Sequence, residues 1–161
     1  TLDGNVHFGG FNMHAMFTWQ DPRYKDYTNE FKFADGTSTK IDYTGKFVTG
    51  ISQYMLEIDP SYTWKNVKVW ASARYYSRQY VSRTNLAYFN GHWETFAGVS
   101  WNVGKGVDLS LNVVNLLFDK GAKGSIDAVD TIDDISMLRN LPVAGTYIRP
   151  FTVDLMVTYK F

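Results

Sequence analysis

Tyr147-Ile-Arg-Pro-Phe-Thr-Val-Asp-Leu-Met-Val-Thr-Tyr-Lys-Phe161 closes the sequence, and its reading decides the fold. Taken alternately, Phe151, Val153, Leu155, Val157, Tyr159 and Phe161 fall on one face, while Thr152, Asp154, Thr158 and Lys160 fall on the other. A period of two belongs to a β-strand. At about 3.3 Å per residue the stretch reaches roughly 50 Å, well beyond the strand of about 5 to 6 residues usual in soluble domains. It is long enough to cross a bilayer obliquely and project past it. An apolar face ending in aromatic side chains, opposite a polar face, suits a lipid-facing band over an aqueous lumen. An amphipathic edge strand of a soluble sandwich would alternate in the same way, so the preceding residues have to decide.

They repeat the pattern. Phe11, Met13, Ala15, Phe17 and Trp19 alternate with Asn12, His14, Thr18 and Gln20. Tyr54, Leu56, Ile58, Tyr62 and Trp64 oppose Gln53, Glu57, Asp59, Ser61 and Thr63. Pro60 lacks an N–H for the ladder and is expected at a bulge or near a strand end. Val67, Val69, Ala71, Ala73, Tyr75 and Val81 alternate with Lys68, Trp70, Ser72, Arg74, Tyr76 and Arg78, so two arginines are expected on the polar face. Trp93, Thr95, Ala97, Val99, Trp101 and Val103 oppose His92, Glu94, Gly98, Ser100 and Asn102. Val107, Leu109, Leu111 and Val113 oppose Asp108, Ser110 and Asn112. With a stub over Leu2 to Phe8, the spacing predicts six to seven long strands.

The connections are unequal. Gly9-Gly10, Lys65-Asn66 and Gly104-Lys-Gly106 are short, whereas polar stretches over Asp21 to Tyr43, Arg83 to Gly91 and Lys120 to Thr146 are long. Short and long alternate along the chain, as periplasmic turns and extracellular loops do in a transmembrane barrel. Within the first long stretch, Asp35-Gly36 between Glu30-Phe-Lys-Phe33 and Lys40-Ile-Asp-Tyr43 reads as a projecting hairpin. The fold expected is all-β, a meandering antiparallel wall of a transmembrane β-barrel.

Composition agrees with this reading. Aromatic residues make up 17% of the chain while the mean hydropathy is −0.25, a combination that alternation between lipid and water produces. Lys plus Arg and Asp plus Glu number 16 each, so nothing in the charge favours nucleic acid. With no cysteine there are no disulfides, thiolate nucleophiles or Cys-based zinc sites. The start, Thr1-Leu-Asp-Gly-Asn5, does not resemble a signal peptide, so an exported protein is expected to begin elsewhere. No fixed-length repeat points to a propeller or solenoid.

Signs of covalent chemistry are few. His7, His14 and His92 are scattered without metal-ligand spacing, Gly104-Lys-Gly106 lacks the pattern of a phosphate loop, and no serine sits in a nucleophile elbow. The chain is therefore expected to be no enzyme and to need no cofactor. Arg74, Tyr76, Arg78 and Glu94 are candidates for a ligand path, or else for a salt-bridge network bracing the wall. Tyr88 and Phe89, near a long loop with Trp93, could stack on a ligand or belong to an aromatic girdle. Asp127, Asp130 and Asp133, with Asp134, could gather around calcium, although their spacing is not that of an EF-hand and a solvated acidic loop is the better reading.

Several stretches resemble the C-terminal part of TonB-dependent outer-membrane receptors. Asn112-Val-Val-Asn-Leu-Leu-Phe-Asp119 looks like that family's penultimate-strand motif. Thr18-Trp-Gln-Asp-Pro-Arg-Tyr-Lys25, Gly45-Lys-Phe-Val-Thr-Gly50 and Arg74-Tyr-Tyr-Ser-Arg-Gln-Tyr80 followed by Asn85 are similar to its strand-and-loop pattern. Gly145-Thr-Tyr-Ile-Arg149 and the terminal Phe161 resemble its closing strand; after the penultimate-strand motif, however, Lys120-Gly-Ala-Lys-Gly124 stands where the family often has a tyrosine.

The resemblance implies that residues 1–161 form the C-terminal segment of a barrel of about 22 strands. It implies a place in the outer membrane of a Gram-negative bacterium and energised uptake of a ferric chelate, cobalamin or an oligosaccharide. The implied partners are outer-membrane lipid, the remainder of the barrel and its plug, the TonB complex acting through that plug, and the barrel-assembly machinery. Leu155, Val157, Tyr159 and Phe161 would carry the signal that this machinery reads. The plug is not in this sequence, so a fragment, one chain of a split receptor, or part of a longer sequence is expected. An open sheet of seven strands would leave two edges that lipid cannot satisfy. The alternatives are a small autonomous outer-membrane barrel, acting as adhesin or passive pore, and a soluble lipocalin-like binding protein.

Overall fold

A computed structural model describes residues 1–123 and 146–160. Seven strands build one sheet: β1 (Leu2–Phe8), β2 (Phe11–Trp19), β5 (Tyr54–Trp64), β6 (Val67–Tyr76), β9 (His92–Gly104), β10 (Val107–Val114) and β13 (Thr152–Tyr159). They lie side by side in chain order, each antiparallel to its neighbours. Three small ladders occupy the long connections: β3 (Thr28–Lys32) with β4 (Ser38–Asp42), β7 (Gln79–Tyr80) with β8 (Tyr88–Phe89), and β11 (Ala122–Lys123) with β12 (Thr146–Tyr147). The fold is all-β, an antiparallel meander, as the alternation predicts.

Register converts that alternation into two chemically distinct faces. One cross-strand row runs Phe8, Phe11, Tyr62, Val69, Val99, Leu111, Leu155, and every member is apolar. On the opposite face a row runs Glu57, Arg74, Glu94. A one-residue slip in any pairing would turn one strand's apolar set onto the polar face. The apolar row stays uncovered: Tyr62 is 52% exposed, Val69 48%, Leu111 43% and Leu155 74%. Among the described residues the buried apolar side chains are Tyr43, Val81 and Ile148, all at the long-loop end. The sheet itself therefore has no covered hydrophobic core.

The short turns are built from positive-φ residues: Gly9 (56°) and Lys65 (52°), with Gly104, Lys105 and Gly106 at 96°, 52° and 77°. A register shift at Val107 and Asp108 follows the last of these.

Three expectations need correction. The closing stretch is not one strand of fifteen residues: Thr146 and Tyr147 pair with β11, Pro150 interrupts the ladder, and β13 begins at Thr152. Its 8 residues span about 26 Å along the strand, or about 20 Å across a bilayer at the usual barrel tilt of about 40°. Pro60 makes no bulge. It sits inside β5 opposite Met13, and the ladder to β6 merely lacks rungs between Ile58 and Ser61. Finally, β6 ends at Tyr76 rather than Val81. The Ser77 N–H donates to Tyr54 O, the Ser52 hydroxyl donates to Ser77 O, and Gly50 N–H donates to Tyr80 O, which turns the chain across the sheet end and buries Val81 and Ser82.

Candidate functional site

On the polar face, alternate residues of β5, β6 and β9 bring charge into line. Arg74 Nη2 lies 3.2 Å from Glu57 Oε1, and Arg74 stands directly opposite Glu94 on β9. Glu94 is ion-paired in turn with Lys123 of β11. Tyr76, two rungs on and on the same face, stacks on His92 with centroids 5.2 Å apart and planes at 20°. Beneath the 115–123 and 146–149 segments, a cavity of about 220 Å³ is lined by Glu94, Thr95, Asn115, Lys123, Ile148 and Arg149. Arg74, Tyr76 and Glu94 are therefore brought together, and the expectation of a bracing ion-pair network and that of a polar path fall on the same residues.

Arg78 does not join them. The strand has ended two residues earlier, and its guanidinium lies over the Tyr88 ring, 5.4 Å from the centroid. Tyr88 and Phe89 form β8 rather than a loop, and Tyr88 meets Tyr80 edge-on at 6.2 Å. Asp127, Asp130, Asp133 and Asp134 lie outside the described residues, as does Phe161. Leu155, Val157 and Tyr159 line the exposed apolar face of β13, at 74%, 64% and 61% exposure.

The long-loop end carries a group that the alternation does not reveal. Tyr24, Tyr27 and Tyr43 stack with centroids 5.1 Å and 5.6 Å apart, and the Arg83 guanidinium lies 5.8 Å from the Tyr27 centroid. Beside them Phe47 stacks on Tyr80 at 5.4 Å, and Arg23 sits 4.0 Å above Phe47. Asn85, in the left-handed region at φ 62°, clamps Phe47 from both sides: Phe47 N–H donates to its Oδ1 at 2.6 Å and its Nδ2 donates to Phe47 O at 2.9 Å. Arginine over an aromatic ring contributes about 0.5 to 1 kcal/mol at exposed sites, so the cluster holds its shape without a deep core. Its only sequence trace is the abundance of Tyr and Arg in the long connections, because the contacts join residues up to 56 positions apart.

No protein-family model matches the chain, and no curated protein matches it. Among solved structures, the siderophore receptor PiuA of Acinetobacter baumannii matches with a TM-score of 0.76 at 20% sequence identity. The match takes in 99% of this chain. The fold is that of a receptor-barrel segment. The chain spans 20% of the receptor's length. At that identity the likeness concerns architecture alone.

Within that architecture the Asn112–Asp119 motif acquires a structural meaning. Asn115, 4% exposed and at φ 56°, donates to Asp119 O at 2.9 Å and Arg149 O at 3.0 Å, and accepts from Asp119 N–H at 2.8 Å. The Asp119 carboxylate accepts the Trp93 N–H at 2.7 Å, and the Thr95 hydroxyl accepts the Leu117 N–H at 3.1 Å. These bonds tie β9, the end of β10 and the 146–149 segment into one knot, with Phe118 stacked on Phe151 at 4.7 Å.

Proposed function

We propose that this chain is a wall segment of a TonB-dependent outer-membrane transporter that takes up a scarce nutrient: a ferric chelate, cobalamin or an oligosaccharide. The observation that carries the reading is the continuous apolar face, uncovered across all seven strands, backed by a charged and hydrogen-bonded face. Water would not tolerate the first and lipid would not tolerate the second, so the sheet belongs between the two. Strand length, alternating short and long connections and the receptor-like architecture support the same reading. On this reading the wall encloses a plug and TonB supplies energy through it. The long connection that carries Tyr24, Tyr27 and Tyr43, and the β7–β8 ladder with Tyr88 and Phe89, face the ligand, and no covalent step is assigned to the segment.

The test is growth of a deletion strain and its parent on defined iron, cobalamin and glycan sources, with and without functional TonB. The expected result is a growth defect on one source, no larger when TonB is also absent, with the protein extracted from the outer membrane only by detergent. Recovery in the soluble fraction, or uptake indifferent to TonB, would overturn the proposal.

A further inference from the structure

On the polar face, three carboxylates converge on one imidazole. Donor atoms of His14 on β2 and of Glu57 and Asp59 on β5 all lie within 4.8 Å of one another. The two contacts of the His14 ring are unlike. Nε2 is 2.7 Å from Asp3 Oδ2 on β1, the length of a charge-assisted hydrogen bond. Nδ1 is 3.4 Å from Asp59 Oδ2, long for such a bond.

A neutral ring that donates Nε2–H to Asp3 presents the lone pair of Nδ1 to a carboxylate oxygen, and those two groups repel unless Nδ1 is itself protonated or a metal cation lies between them. Two tetrahedral ligands at metal distances of about 2.0 to 2.2 Å stand roughly 3.3 to 3.5 Å apart, and the Nδ1–Oδ2 distance falls in that range. A carboxylate on the far nitrogen of a ligating histidine is also the usual outer-sphere arrangement of a metal site.

Charge and polar satisfaction point the same way. Against Asp3, Glu57 and Asp59 stand the Arg74 guanidinium and the Lys68 ammonium that lines the same recess, which leaves one net negative charge with the imidazole neutral. The Arg74 Nε is buried without a hydrogen-bond partner. Ser72, on a residue 9% exposed, lines the same recess as His14, Asp59 and Arg74, with its hydroxyl beside the Asp59 carboxylate.

We propose that this recess binds one divalent transition-metal ion, with His14 Nδ1, Asp59 and Glu57 as ligands, Asp3 orienting the imidazole, and a water held by Ser72 in the fourth position. Imidazole with carboxylates suits ions of the zinc class, whereas calcium prefers an all-oxygen shell. The ion would bridge β2 and β5 and, through Asp3, fasten the edge strand β1. This site is independent of the transport reading.

The full chain, purified in detergent micelles, would be titrated calorimetrically with ZnCl2 and with CaCl2. One saturable equivalent of zinc and none of calcium is expected. His14→Ala should weaken zinc binding by at least about 100-fold and Asp3→Asn by about 10-fold, as losses of an inner and an outer partner do. His92→Ala, at a histidine of this face on the distant strand β9, should leave it unchanged. Should His14→Ala fail to fold, the d–d absorption of the cobalt-loaded parent reports a tetrahedral nitrogen and oxygen site directly. Absence of saturable zinc binding, zinc binding indifferent to His14, or an octahedral cobalt spectrum would overturn the proposal, leaving a protonated His14 bridging two carboxylates. A failed growth test with zinc binding intact would sink the transport reading alone.

Discussion

Asn115 shows how a single residue holds the long-loop end together. Its side chain makes three hydrogen bonds in a site 4% exposed, and its backbone is left-handed at φ 56°. Asparagine tolerates that conformation better than alanine does, and leaving buried partners unpaired costs about 1 to 3 kcal/mol. Asn115→Ala is expected to destabilise the fold by about 3 kcal/mol, and Asn115→Gly by about 1 kcal/mol less, since glycine removes the strain of the positive φ. Thermal unfolding in detergent would check the order, and equal losses would show that φ contributes nothing. In the hairpin outside the sheet, the Asp35 carboxylate accepts from the Thr37 hydroxyl at 2.6 Å and from its N–H at 2.9 Å. Those bonds hold its pKa below the ordinary 3.8. The stabilisation is thus fully present above the unfolded value and fades as pH falls through the lower folded one. Hydrogen exchange at Thr37 should quicken only below about pH 4, and Asp35→Asn should remove that dependence.

At the scale of the strand, the polar face is shaped by one small residue. An added Cβ on Gly98 would lie 2.6 Å from the Trp70 ring, which covers it from the adjacent strand. Gly98→Val is therefore expected to swing Trp70 off β9, shift its fluorescence and cost about 1 to 3 kcal/mol, with Trp70→Phe as the spectral control. An unchanged spectrum would mean that the ring does not rest there. The limits of β6 and β13 belong to this scale too. Val81 and Tyr147 fall in phase with the apolar faces of their strands, although Ser77, Gln79 and Arg149 interrupt them, and hydrogen bonds from Gly50, Ser52 and Ser77 end the first strand while Pro150 delays the second. Periodicity reports which side chains share a face; it does not report where pairing partners run out.

For the molecule as a whole, the two faces make opposite demands of a substitution. Val99 stands 38% exposed in the middle of the apolar row, and Ser100 is its neighbour on the other face. Folded into phospholipid vesicles, Val99→Lys should cost about 2 to 4 kcal/mol in urea unfolding, whereas Ser100→Lys should stay within about 0.5 kcal/mol. Comparable effects at both positions would remove the basis for placing the sheet in a membrane. Two-residue periodicity is local, set by a backbone that turns successive side chains to opposite sides, so the strands, their faces and the three short turns were legible in the sequence alone. The Arg74, Tyr76 and Glu94 line could be drawn as one polar face before any pairing was known. Which carboxylate meets which imidazole, which tyrosines stack and what Asn115 ties down could not. Those contacts depend on inter-strand register and on loops folding back across the sheet end, where residues far apart in the chain become neighbours only once pairing has been settled.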